Sequence, residues 1–177
     1  VINEIDYDQL GADALEFVEL KNTGASAVSL NGFTLELVNG SGGTVYETIT
    51  LPNVNLPAGD YFVICADASV PNCDLSFSGS IQNGQDAVRL MFGSTTVDAV
   101  SYEGAVSGAV EGNPTSAADT NTEPNLGLSR FPDGADSDDN DTDFALTCIT
   151  PGAANIDNSP DTDGDGVGDD CDECDNA

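Results

Sequence analysis

Short apolar runs, broken by Gly, Asn and Pro, recur over residues 1 to about 104. Phe33, Leu35 and Leu37 alternate with Thr34 and Glu36, the period of a strand with one buried and one wet face. Leu15 to Lys21 and Tyr61 to Ala66 are apolar on both alternate faces, as strands in the middle of a sandwich are. The turn Asn39-Gly-Ser-Gly-Gly43 leads into Val45 to Leu51, which predicts a hairpin. Leu56-Pro-Ala-Gly-Asp60 is a second turn ahead of a strand, and further strands are expected over Ala87 to Phe92 and Thr96 to Tyr102. Frequent turns and the lack of an amphipathic helical period give an all-β class. A two-sheet sandwich is the architecture that buries so many short strands.

The pattern changes twice further on. Residues 105–127 are rich in Gly, Ala, Ser, Asn and Thr and read as a long surface loop. Apolar anchors return at Leu128, Phe131, Phe144, Leu146 and Ile149, with the acidic run Asp133 to Asp143 between them. From Asn155 the chain is polar and acidic and cannot build a core, so metal or disulfides would have to order it. The expected organisation is a sandwich over residues 1–156 and an acidic extension over 157–177.

Charge sharpens this picture. Three cations, Lys21, Arg89 and Arg130, face 32 acids, for a net charge of −29. Fifteen of those acids follow Pro132, where no Lys or Arg comes after Arg130. Such a polyanion repels phosphate backbones and anionic lipid, which argues against nucleic acid and membrane surfaces as partners. The apolar runs are strand-length, too short for a membrane-spanning helix. There is no His, so Ser-His-Asp, Cys-His and His-containing zinc arrangements are excluded. Glu16 and Glu19 are an odd distance apart on a strand and point to opposite faces, so they do not make a catalytic pair. The absence of Trp weakens a sugar-stacking platform, leaving Tyr7, Tyr46 and Tyr102 as candidates. An enzyme is not expected.

Five cysteines in a small domain fit a secreted, disulfide-bonded protein. Cys65 and Cys73 bracket the turn Ala66 to Asn72 and are expected to form a local disulfide. Cys148 either stays buried and reduced or bonds to Cys171. The odd count leaves one thiol free or paired outside the chain. Cys171-x-x-Cys174 has no second Cys pair or His to complete a zinc site and no βαβ context for redox chemistry. The chain starts directly in apparent structure at Val1-Ile2, which reads as a fragment of a larger secreted protein.

The strongest chemical signal lies near the C-terminus. Asp161, Asp163, Asp165, Asp169 and Asp172 occupy positions 1, 3, 5, 9 and 12 of a twelve-residue loop, with Gly166 at position 6. Oxygens at that spacing converge on one Ca2+, and the Val167 carbonyl can supply position 7. Position 12 is Asp where an EF-hand has Glu, and the flanks are not helical, so this is a repeat-type loop. Calcium there would act structurally, collapsing a segment that otherwise repels itself. Asp136, Asp138, Asn140, Asp141 and Asp143 form a second acidic cluster without the glycine pattern. Those side chains either make their own turns or form a second metal site.

A further set of segments carries a resemblance. It comprises Val1-Ile-Asn-Glu-Ile-Asp-Tyr-Asp8, Glu16-Phe-Val-Glu-Leu-Lys-Asn22, Val28-Ser-Leu-Asn-Gly-Phe-Thr-Leu35, Leu56-Pro-Ala-Gly-Asp-Tyr-Phe-Val-Ile64, Val97-Asp-Ala-Val-Ser-Tyr102, Gly127-Leu-Ser-Arg-Phe-Pro-Asp-Gly134, Asp143-Phe144 and Thr150-Pro-Gly-Ala-Ala-Asn155. In this order they resemble the bacterial form of the lamin tail domain over residues 1–156. That resemblance implies an immunoglobulin-like β-sandwich and no catalytic residues. Residues 161–174 are similar to part of a thrombospondin type 3 repeat, barely one repeat in extent, which implies calcium binding outside the cell; in such arrays Cys link consecutive repeats. The expected role is adhesion or positioning within a larger secreted or surface protein. The alternative is a module that targets an attached hydrolase or nuclease to polysaccharide or protein. Expected partners are other domains of the parent protein, or extracellular protein or polysaccharide.

Overall fold

The computed structural model describes residues 1–122, 125–157, 160, 162, 168 and 169. Among them the strands are, in chain order, β1 (Ile2–Asp6), β2 (Phe17–Lys21), β3 (Val28–Ser29), β4 (Phe33–Asn39), β5 (Thr44–Thr50), β6 (Asn55–Leu56), β7 (Tyr61–Cys65), β8 (Cys73–Ser76), β9 (Asp86–Phe92), β10 (Thr95–Tyr102), β11 (Leu126–Arg130) and β12 (Phe144–Cys148). A single helical turn, α1 (Asn140–Asp143), precedes β12. Six strands form one sheet in the order β12-β11-β1-β2-β7-β8, four form another in the order β10-β9-β4-β5, and β3 pairs with β6. The protein is therefore all-β, as the pattern predicts.

The two large sheets enclose the main core. Ile2, Ile5, Val18, Leu20, Ile64 and Leu128 from the six-stranded sheet belong to the same buried cluster as Leu35, Leu37, Val88, Leu90 and Val100 from the four-stranded one. Burying such a side chain contributes about 1.5–3 kcal/mol relative to exposure. Tyr7 and Tyr102 stack in this cluster with ring centroids 4.2 Å apart.

All five residues of β1 are buried. Ile2 and Ile5 share the core although three positions separate them, which strict alternation forbids. The β1–β2 register shifts between Ile2 and Glu4, and that bulge accommodates the extra residue. Asn3, Glu4 and Asp6 are thereby placed off the core face.

The six-stranded sheet is covered on its other face as well. Phe17, Val63, Cys65 and Val70 form a second buried cluster, with Ile149 packed against it. This explains why β2 and β7 read as apolar at both alternate positions. Leu15 falls outside β2, however, and is 44% exposed, so the predicted strand starts two residues too early.

Two other differences are physical. Among the described residues of 105–127 no strand precedes Leu126, yet the segment is not simply a surface loop: Val106 and Ala109 pack with Val38 and Ala87 in a third buried cluster. Small side chains let this segment lie close against the sheet. The unpredicted α1 arises inside the acidic run, where Asp139 caps it by accepting from the Thr142 amide.

Candidate functional site

The polar groups of β1 and its neighbours make three connected clusters. The first lies under the segment Thr150–Asn155. Glu4 and Glu19 are direct partners across β1 and β2, and both are fully buried. Glu4 accepts from the Thr150 amide at 2.9 and 3.0 Å and from Ser129 Oγ at 2.9 Å. Glu19 accepts from the Gly152 amide at 2.7 Å and from Asn3 Nδ2 at 2.8 Å. Asn155 Nδ2 donates to the Asn3 carbonyl at 3.1 Å and the Arg130 carbonyl at 2.9 Å. Residues 150–155 thus form a strap whose amides are satisfied by buried carboxyls. Gly127 lies beneath, where a Cβ would sit 2.9 Å from Ile149 Cγ2 and 3.0 Å from the Ile5 carbonyl oxygen. Burial, and next the Glu19 charge, push Glu4 up to about 8. Burial pushes Glu19 up to about 7.

The second cluster is centred on Arg130, which has no exposed surface. Its Nε donates to the Ile2 carbonyl at 2.7 Å. Nη1 reaches the Ala135 carbonyl at 2.9 Å, Asp143 Oδ2 at 3.0 Å and Asp136 Oδ1 at 3.2 Å. Nη2 reaches both oxygens of Asp98, and the guanidinium lies 4.7 Å from the Phe144 ring centroid. Carboxylate oxygens of Asp98, Glu111 and Asp136 lie within 4.8 Å of one another, the arrangement among the described residues that meets the geometry of a metal-binding group. Burial, followed by the charges of Asp98 and Asp136, pushes Glu111 up to about 8. The Arg130 guanidinium already supplies a positive charge at the centre of this group, so its chemistry is that of a buried ion-pair network.

The third cluster joins Asp6 and Asp119, which are 3% and 1% exposed. Asp119 Oδ2 accepts from the Tyr7 and Asp8 amides at 2.8 and 3.1 Å. Asp6 Oδ2 accepts from Gln9 Nε2 at 3.0 Å. Oδ1 of each carboxyl is buried without a partner. Burial, and then the charge of Asp119, push Asp6 up to about 8, while burial raises Asp119 to about 6. Asp6 also lines a cavity of about 420 Å³ with Gln9, Phe17, Val70, Leu126 and Ile149.

The residues singled out in the sequence fall as follows. Of the calcium-loop positions, Asp169 is described: its two oxygens accept from the Thr162 amide and hydroxyl at 2.6 and 2.7 Å. Asp161, Asp163, Asp165, Val167 and Asp172 lie outside the described residues, as do Cys171 and Cys174. In the second acidic run, Asp136 and Asp143 bind Arg130, and Asp141 accepts from the Ser116 amide at 2.9 Å. Asn140 accepts from the Ser101 amide at 3.0 Å and donates to the Ala99 carbonyl at 2.8 Å. Asp138 is exposed and holds a positive φ of 57°. Of this run, Asp136 alone joins the carboxylates that converge.

Cys65 and Cys73 are bonded to each other, with Cα atoms 6.0 Å apart. Cys148 is also disulfide-bonded, so it is not the reduced thiol that one reading allowed; its partner lies outside the described residues. Tyr7 and Tyr102 are fully buried and Tyr46 accepts from the Gln82 amide at 2.9 Å, so the first two are removed as sugar-stacking candidates. Glu16 accepts from the Ile81 amide, whereas Glu19 accepts from Asn3 and Gly152, so the two carboxyls share no partner. The sequence reading missed Asp6, Asp98, Glu111 and Asp119. An available signal was a lone Asp98 within the otherwise apolar stretch Val97 to Val100, matched to one of just three cations.

Comparison with known proteins adds one match. No curated protein matches the chain. A sequence model of the Lamin Tail Domain matches residues 1–104, which include β1 to β10 and end before β11 and β12 complete the six-stranded sheet. The match spans more than half of the sequence, and the chain belongs to the lamin tail domain family.

Proposed function

We propose that the protein is a non-catalytic extracellular module that positions or anchors other domains of a larger secreted or surface protein, with Ca2+ bound in its acidic C-terminal loop. The observation that carries this reading is membership of the lamin tail domain family, which supports an immunoglobulin-like, non-catalytic module. The Cys65–Cys73 disulfide supports an oxidising compartment. The spacing of Asp161, Asp163, Asp165, Asp169 and Asp172 around Gly166, like that of a thrombospondin type 3 repeat, supports calcium. Extracellular calcium modules bind at about 10⁻⁴–10⁻³ M, so the ion concentration outside a cell is the relevant one.

Limited proteolysis and calorimetry in millimolar calcium and in chelator test the reading. Calcium is expected to protect the bonds after Ile156 and to leave the cleavage pattern of the sandwich unchanged. Identical digestion in both conditions would remove calcium from the proposal.

A second reading is favoured by the cavity beside Asp6: a targeting module that brings an attached hydrolase or nuclease to a polysaccharide or protein. Retention of the intact chain on specific members of a glycan or peptide array favours targeting, and uniform silence favours the scaffold.

A further inference from the structure

We propose that Lys21 and Asp133 react with each other to form an intramolecular amide, a covalent cross-link between β2 and the loop that follows β11. The two side chains are ion-paired across 112 positions of sequence and are 13% and 17% exposed. Lys21 is the sole lysine of the chain. The surroundings set this pair apart from an ordinary surface ion pair, whose two long chains stay loosely held. Asp133 Oδ1 accepts from Asn3 Nδ2 at 3.0 Å, and Oδ2 accepts from the Tyr61 hydroxyl at 2.7 Å. Asn3 has no exposed surface and is itself fixed: Nδ2 also donates to Glu19 Oε1 at 2.8 Å, and Oδ1 accepts from the Gly134 amide at 3.0 Å. The lysine stem lies against Gly134, where a Cβ would sit 2.8 Å from Lys21 Cδ. Its ammonium lies 5.0 Å from the Tyr61 ring centroid and interacts with the Tyr61 hydroxyl. Nucleophile, carboxyl, an amide donor on one carboxyl oxygen and a hydroxyl on the other are therefore assembled at one point.

The reaction needs no second reactant and releases one water. An ammonium hydrogen-bonded to a carboxylate oxygen stands about 3.5 Å from the carboxyl carbon, the separation of a near-attack arrangement. Lys21 Nζ first passes a proton across the ion pair to Asp133 Oδ2, leaving a neutral amine beside a carboxylic acid. The amine lone pair attacks Cγ, and the carbonyl electron pair moves to Oδ1, where the Asn3 amide stabilises the charge. A second Nζ proton reaches Oδ2 through the Tyr61 hydroxyl, which accepts one proton as it releases its own. The Cγ–Oδ2 bond breaks, Oδ2 leaves as water, and the electron pair on Oδ1 restores the carbonyl of the new amide. The ion pair and the amine–acid pair hold the same protons, so the rate should be level from about pH 6 to about pH 8. The product closes residues 22–132 into a loop, and a pull along the chain then bypasses them, the mechanical property an anchoring module needs. The site uses no residue after Gly134, so failure of this proposal and failure of the calcium reading are separate results.

Mass spectrometry of the full chain, denatured, reduced and alkylated, tests the bond. The parent chain is expected to be lighter than its sequence by one water, about 18 Da. Endoproteinase Lys-C, which cuts after a free lysine side chain, should leave it whole, and a chymotryptic digest should contain a branched peptide joining Lys21 to Asp133. Asp133→Ala should have the full mass and be cut after Lys21, and Lys21→Arg should have the full mass because a guanidinium is not a nucleophile at this pH. Asn3→Ala should slow formation of the bond after cell-free synthesis by about a hundredfold. Tyr61→Phe keeps the ring and removes the hydroxyl, so it retains the kinetic test if Asn3→Ala fails to fold; it too should slow the reaction by about a hundredfold. Full mass with complete Lys-C cleavage of the parent chain overturns the proposal. So does loss of one water with Lys21 still cleavable, because a succinimide at Asp133-Gly134 has the same mass and no cross-link.

Discussion

Arg130 and Asp98 are both without exposed surface and meet through two hydrogen bonds, from Nη2 to Oδ1 at 3.0 Å and to Oδ2 at 3.2 Å. Asp98 also accepts from the Ile2 amide at 2.5 Å, so the pair ties β10 of one sheet to β1 and β11 of the other. An ion pair this deep contributes little net energy against an apolar replacement, but breaking it from one side leaves a buried charge. Arg130→Met strands Asp98, Asp136 and Asp143 together and is expected to cost about 3–5 kcal/mol in urea unfolding. Combining it with Asp98→Asn should cost less than the sum of the single changes, because the second substitution removes one of the stranded charges.

The buried acids of the six-stranded sheet predict an unusual pH profile. Glu4 and Asp6 are each pushed up to about 8, and Glu19 to about 7. A raised acid holds its proton more tightly in the folded state than in the unfolded chain. Its stabilising contribution is fully present below the unfolded value, is lost as pH rises through the interval between the two values, and is gone above the folded value. The relevant window runs from about 4 to about 8, with a slope of at most about 1.4 kcal/mol per pH unit for each group. Asp133, which Lys21 and Tyr61 hold down, and Asp143, which Ser137 and Arg130 hold down, oppose this only at lower pH. Thermal unfolding should therefore show the highest midpoint near pH 4–5 and a falling one toward pH 8. Glu4→Gln keeps an acceptor for Thr150 and removes the charge, so it should flatten the decline. A midpoint that rises from pH 5 to pH 8 in the parent protein would contradict the assignment.

The Cys65–Cys73 link closes a loop of eight residues' separation at the junction of β7 and the parallel strand β8. A loop that short gives about 2.5 kcal/mol by the chain-entropy relation. Replacing both cysteines with Ala should lower stability by about that amount in guanidinium unfolding, while the wild-type pattern of protected amides in β1, β2 and β11 persists. Loss of protection across the whole sheet would mean that the disulfide fixes the fold and does more than stiffen its edge.

How much of this was legible in the sequence differs by element. The hairpin β4–β5 was, because Phe33 to Leu37 alternates cleanly and a glycine-rich turn follows. The both-faces-buried character of β2 and β7 was, because Phe17 and Val63 must be covered on the side away from the core. The polar clusters were not. Asp6 and Asp119 are 113 positions apart, and Glu4 meets Thr150 across 146, so no local spacing announces them. The bulge in β1 also breaks the alternation that would have assigned Asn3 and Glu4 to a face. In the run from Asp136 to Asp143 composition suggested a ligand set, while the fold sends those side chains to Arg130, to α1 and to backbone amides. Acidic composition alone cannot distinguish these uses.

Asn155 tests whether the strap belongs to the sandwich, since the family match ends at residue 104. Its side chain is 6% exposed and its amide group donates to the carbonyls of Asn3 and Arg130. Asn155→Ala removes both donors and leaves two buried acceptors without them, at a cost of about 1–3 kcal/mol for each acceptor that water does not reach. The strap would then loosen over Glu4 and Glu19, whose carboxyls take up the Thr150 and Gly152 amides. Readmitted water would lower the pKa of both acids, so the variant should be destabilised more at pH 5 than at pH 8. Hydrogen exchange of the Thr150 and Gly152 amides reports the loosening directly: both should exchange at least about tenfold faster in the variant, whereas β4, β5 and β9 in the other sheet should not change. Equal acceleration across both sheets would instead mark Asn155 as a general stability position, with no special hold on the strap.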